Sequence, residues 1–112
     1  MVAAKAHSED MLRRGYYSHD TPEGVEPSER VRATGYAYSL MAENIHMRSI
    51  PYGKLSAEAI DEVFADWMES QGHRKNLLNP ALHEVGIGVA TGRYGTELGT
   101  TGLYTVDFGT PQ

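Results

Sequence analysis

Two histidines and one glutamate stand out as groups able to hold an ion or move a proton. His19 lies in Tyr17-Ser18-His19, Glu43 in Ala42-Glu43-Asn44-Ile45, and His73 in Gly72-His73-Arg74-Lys75-Asn76-Leu77-Leu78-Asn79-Pro80. The His73 segment follows a helix that ends near Trp67-Met68 and leads into Glu84-Val85-Gly86-Ile87-Gly88-Val89. That reading places His73 in a loop between a helix and a Gly-rich strand, where a chain can aim an imidazole into a cleft. If His19, Glu43 and His73 converge, they make a two-His, one-carboxylate set suited to zinc or another divalent cation. Taken singly, each is more simply a structural residue.

The other histidines read as ordinary. His7 falls inside the first helix as a surface or packing residue, and His46 and His83 sit in polar surroundings facing solvent. Ser18-His19-Asp20 holds the residue types of a nucleophilic triad. Neighbours in sequence point in different directions, however, and a triad is a spatial arrangement. There is no H-E-x-x-H and no phosphate-binding loop, and Gly86-Ile87-Gly88 lies in a strand and opens no helix.

The elements that must position these residues follow from periodicity. Val2 to Arg14 predicts a helix, rich in alanine and stopped by Gly15. Tyr16 to Pro27 is a loop, and a short helix follows between Pro27 and Gly35. Tyr36 to Asn44 fits neither period, and the segment up to Gly53 reads as loop. Ala57 to Ser70 is the clearest helix, with Ser56 as its cap and Ile60, Val63, Phe64 and Trp67 as one apolar stripe. Gly72 is read as its stop. Val85, Ile87 and Val89 alternate with Gly86, Gly88 and Ala90, so this strand has one bulky face and one bare face open to close approach. Leu103 to Phe108 predicts a second strand, paired with it as an antiparallel hairpin. Helices first and strands last give an α+β chain.

The 112 residues fit one domain, residues 1–112, and 40% hydrophobic against 22% charged content supports a packed core. A net charge of -5 repels phosphate backbones, so nucleic acid is not an expected partner. No apolar run is long enough to span a bilayer. Cysteine is absent, which removes disulfides, thiolate catalysis and Cys-ligated zinc. Met1-Val2-Ala3-Ala4-Lys5 leads into no apolar signal segment, and the chain opens inside what reads as a helix, so a natural start further upstream is expected.

The ordered set His7-Ser8-x-Asp10-Met11, Tyr17-Ser18-His19, Ala42-Glu43-Asn44-Ile45, Trp67-Met68-x-Ser70-x-Gly72-His73-Arg74-x-Asn76-Leu77-Leu78-Asn79-Pro80, Glu84 to Val89 and Val106-Asp107-Phe108-Gly109 resembles the CAP superfamily of cysteine-rich secretory, antigen 5 and pathogenesis-related proteins. The likeness is to its bacterial, cysteine-free branch and spans nearly the whole chain. It implies an α-β-α sandwich around a small, mostly antiparallel sheet, N-terminally shortened by one helix. It also implies a secreted or cell-surface location.

The resemblance further implies a central cleft of two His and two acidic residues. His19, Glu43 and His73 match three of them, and Ser70 stands where the second acid belongs. Glu69 is next to it, but each helical step turns the direction by about 100°, so Glu69 points away. The expected ligand-binding cleft is therefore His19, Glu43, Ser70 and His73, with His19, Glu43 and His73 holding zinc or another divalent cation weakly. A binding module for a small-molecule, lipid or cell-wall ligand is the leading expectation. A scaffold with no cleft chemistry comes second. A metal-assisted hydrolase using His19, Glu43 and His73 comes third, since nothing supplies an activated nucleophile. The surface left by the absent helix is an expected site for a homo-oligomer or other partner.

Overall fold

In a computed structural model, residues 2–112 are described; Met1 lies outside them, and with it the first residue of the segment read as lacking a leader. The elements are α1 (Ala3–Arg14), α2 (Pro27–Ala33), β1 (Tyr38–Ile50), a 3-10 turn (Pro51–Gly53), α3 (Ala57–Glu69), α4 (Gln71–Leu78), β2 (Glu84–Gly92) and β3 (Thr100–Pro111). The strands form one antiparallel sheet in the order β1-β3-β2. Helices cover both of its faces, as the α+β sandwich expectation requires.

Alternation along β3 separates the two layers, because successive side chains point to opposite faces. Leu103 packs with Met11 of α1 and Ile45 of β1 on one face. Tyr104, Val106 and Phe108 pack with Val63 and Trp67 of α3 on the other. The bare face of β2 is what admits α1. Ser8 donates from its hydroxyl to the Gly88 carbonyl at 3.0 Å and lies 2.7 Å from the Thr105 hydroxyl. On the opposite face Val89 packs against the core under α3, while Val85 and Ile87 further along the strand remain 55% and 57% exposed.

Two expectations need correction. The segment from Tyr36 to Gly53, read as ambiguous and then loop, contains the longest strand in the chain. Glu43, Asn44, His46 and Arg48 hide its alternation, yet β3 pairs with it from Tyr38 to Ile50 and satisfies its backbone. The α3 helix also stops earlier than Gly72. Ser70 adopts extended angles (φ -99, ψ 120) and a second helix restarts at once, with Arg74 N–H bonding the Ser70 carbonyl at 2.8 Å. Gly72 and His73 therefore lie in the first turn of α4 and not in a loop. Two other helix boundaries are as read: Ser56 accepts from Ala59 N–H at 3.1 Å at the start of α3, and Gly15 closes α1 in the left-handed region at φ 69.

Candidate functional site

Glu43 is the centre of the site. It leaves β1 toward the α1 face, and its side chain is 2% exposed. Arg30 of α2 brings its Nη2 to 2.9 Å from both Glu43 carboxylate oxygens, and the same nitrogen donates to the His19 carbonyl at 2.8 Å. His19 then places Nδ1 3.0 Å from Glu43 Oε1. Burial pushes the Glu43 carboxyl up, but the hydrogen bond from His19, the facing Asp107 and the charge of Arg30 outweigh it and hold the group down at about 2. An ionised Glu43 only accepts, so Nδ1 of His19 carries the hydrogen. In the neutral ring, Nε2 is then the lone-pair edge.

The loop that carries His19 is fixed from α1. His7 is 2% exposed, and its Nε2 bonds the Ser18 carbonyl at 2.9 Å. Burial, helped by the nearby Arg30, lowers the His7 pKa and keeps the ring a neutral Nε2–H donor. The sequence reading gave His7 a surface or packing role. It is instead a clamp on the residue that precedes His19.

The other half of the site lies on the opposite face of β1. Asn44 Nδ2 bonds the His73 carbonyl at 3.1 Å, and Asn76 Nδ2 bonds Asn44 Oδ1 at 2.8 Å, which docks α4 on β1. Trp67 Nε1 donates to the Ile45 carbonyl at 3.0 Å and docks α3 beside it. His73 is half-buried, its ring 6.4 Å from that of Trp67. Burial lowers its pKa, and the neighbouring His19 and His46 lower it further. His46, expected to face solvent, bonds Asp66 at 2.8 Å and packs edge-on against Trp67. His83 is exposed, as read. Ser70 sits at the α3–α4 junction, and among the described residues its side chain makes no hydrogen bond to His19, Glu43 or His73.

The metal expectation is overturned. Among the described residues, no group of three or more His, Cys, Asp or Glu side chains is placed to hold a metal ion. The reason is visible at Glu43, whose carboxylate is already occupied by a guanidinium and an imidazole N–H. His73 is attached to β1 through its backbone and does not reach this carboxylate. His19, Glu43 and His73 are not metal ligands in this arrangement.

Sequence reasoning missed Arg30 and Asp107. Arg30 had no signal beyond being a cation on a short helix. Asp107 was visible only as one letter of Val106-Asp107-Phe108-Gly109; it stands directly across from Glu43 in the β1–β3 register and is fully buried. At the His19 side of this cluster, His19, Asp20, Glu26, Pro27, Ser28, Met41 and Glu43 line a cavity of about 330 Å³. A larger one of about 640 Å³ lies between α1 and α2, reaching Arg30 and His7 but neither His19 nor Glu43.

Comparison with known proteins agrees with this architecture. The chain is 36% identical over 86 residues to the uncharacterized protein YkwD of Bacillus subtilis, covering 77% of this chain and 30% of that one. It is 33% identical over 86 residues to the uncharacterized membrane protein YlbC of the same organism, covering 77% and 22%. The chain thus spans less than a third of each of these relatives. An extracellular protein containing a SCP domain from Bacillus anthracis superposes with a TM-score of 0.73 at 28% identity, over 96% of this chain and 30% of that one. An outer surface protein of Borrelia burgdorferi shares the fold, with a TM-score of 0.72 at 17% identity, over 98% and 71%. The model of the cysteine-rich secretory protein family, CAP, matches residues 1–108, and the chain belongs to that family.

Proposed function

We propose that this chain is a binding module, working outside the cell or at its surface, whose ligand docks at the His19 side of the Glu43 cluster. One observation carries the reading: the Nε2 edge of His19 is fixed as an acceptor by Glu43, and the ring is exposed at a cavity rich in other acceptors. Asp20, Glu26 and Ser28 line that cavity with oxygen atoms, while Pro27 and Met41 supply a small apolar floor. A ligand rich in hydroxyl and amide N–H donors fits such a mouth, and an anionic headgroup does not. Cell-wall glycan has that chemistry. The extracellular setting rests on the likeness to the Bacillus anthracis protein. Among the described residues, no helix is long and apolar enough to cross a membrane. Exposed Val85 and Ile87 on β2 support the further reading that a partner or second copy meets this chain there.

The test is a titration with N-acetylglucosamine oligomers, followed by NMR. The expected result is movement of the His19 ring and Met41 methyl signals, abolished in His19→Ala with the rest of the spectrum intact. Unmoved signals, or equal movement in the variant, would overturn the reading. An equal response to anionic lipid vesicles would overturn the ligand class.

A further inference from the structure

Asp107 has entered the site so far only as the neighbour that faces Glu43, yet it is its most unusual group. It is 0% exposed, and neither carboxyl oxygen finds a hydrogen-bond donor. The charged and titratable groups around it come from several elements. Glu43 faces it from β1, Arg30 approaches from α2, and His7 of α1, held neutral, lies beside Glu43 and Arg30. From β2 it meets only Gly86. Arg30 directs Nη2 to Glu43, while its Nε and Nη1 remain buried and unpartnered. The side chain that faces Asp107 across the β1–β3 register is therefore another carboxylate, Glu43, which has only lone pairs to offer.

Two ionised carboxylates cannot share a buried site beside one guanidinium without large repulsion. A buried carboxyl with no donor is satisfied only by becoming a donor itself. We propose that Asp107 carries a proton at neutral pH and donates its O–H to Glu43, acting as a positioning residue for the Glu43 carboxylate beneath His19. Burial first, and then Glu43, push the Asp107 carboxyl up to about 9, in the same sense.

This deepens the proposed function and rests on that reading for its ligand consequence. With Asp107 neutral, the buried floor holds one positive guanidinium and one negative carboxylate and has no net charge. An ionised Asp107 would leave the floor with net negative charge and draw cations to it. A neutral floor leaves recognition to the acceptor-lined mouth, and so to uncharged hydroxyl and amide donors.

The test uses the whole chain without ligand, so its outcome is independent of whether a glycan binds. Asp107→Asn keeps the shape and a donor but cannot ionise. If Asp107 is protonated in the fold and ionised when unfolded, the native chain loses stability relative to Asp107→Asn as pH rises from 5 to 8. The unfolding constants then diverge toward tenfold per pH unit, the slope of one proton. The infrared carbonyl stretch of a protonated acid should appear in the native chain at pH 7 and vanish in the variant. Parallel pH dependences, or no such band, would overturn the assignment. Should Asp107→Asn fail to fold, the infrared band and the side-chain carboxyl signal of the ¹³C-labelled native chain still decide it.

Discussion

Gly88 of β2 lies against the backbone of Lys5 so closely that a Cβ there would stand 2.2 Å from the Lys5 Cα and N atoms. Neither backbone can yield without moving α1 as a body. Gly88→Ala should therefore lift the helix, break the Ser8 bonds to Gly88 and Thr105, and loosen His7 from the loop that carries His19. Overpacking of this kind costs about 1–3 kcal/mol or more. Urea unfolding should show that loss. Gly15→Ala would instead be limited to the strain of its left-handed φ of 69, since a Cβ there meets nothing within 4 Å.

Arg30 and Glu43 form the kind of buried pair in which removing one partner costs more than removing both. Arg30→Met leaves a buried carboxylate without its cation, and a loss of about 3–5 kcal/mol is expected. Arg30→Met combined with Glu43→Met should recover much of it, because the stranded charge is gone. Chemical denaturation of both singles and the double gives the coupling energy. A double variant no more stable than the worse single would contradict this account.

Two polar clusters tie helices to β1 and should behave differently. Asn44 is fully buried and links β1 to α4 through His73 and Asn76, so Asn44→Ala strands buried groups at a cost of about 1–3 kcal/mol. Asp66 is matched by His46 and Arg48, and Arg48 in turn by Glu62, but these side chains are roughly a quarter to a half exposed. Asp66→Asn should cost less than about 1 kcal/mol and respond to salt. Thermal melts at low and high ionic strength separate the two cases.

The residues that announce themselves in the sequence are those whose local pattern and packing agree. Ile60, Val63, Phe64 and Trp67 keep helical spacing and lie along the core side of α3, with Val63 and Trp67 fully buried. Gly88 is bare because α1 comes close. The strand β1 was hidden because a site is built on it. Glu43 and Asn44 point to opposite faces to meet α2 and α4, so polarity replaces the alternation that marks a strand. The gathering of His19 with Glu43 was implied only by the family resemblance, and its meaning was not legible at all. Arg30 lies 13 residues before Glu43 on another element, and only the fold shows that its guanidinium occupies the Glu43 carboxylate. Asp107 is separated from Glu43 by most of the chain, and register alone makes them neighbours.

Acid should expose Glu43 as a source of stability. Its carboxyl is held at about 2 in the fold against an ordinary 4.5, so the folded state binds fewer protons than the unfolded chain between those values. A depressed carboxyl contributes stability that is complete above about pH 4.5 and is lost as pH falls toward about 2. Glu43→Gln has no such proton to take up. Its absolute stability is lower, since Arg30 loses its counter-charge, but its stability curve should lack that acid limb. The comparison is one of shape: unfolding free energy at a series of pH values from 5 down to 2, for the native chain and for Glu43→Gln. A native curve as flat as that of the variant would mean that the carboxylate is not held by Arg30 and His19 in solution. The acceptor edge assigned to His19 would fall with it.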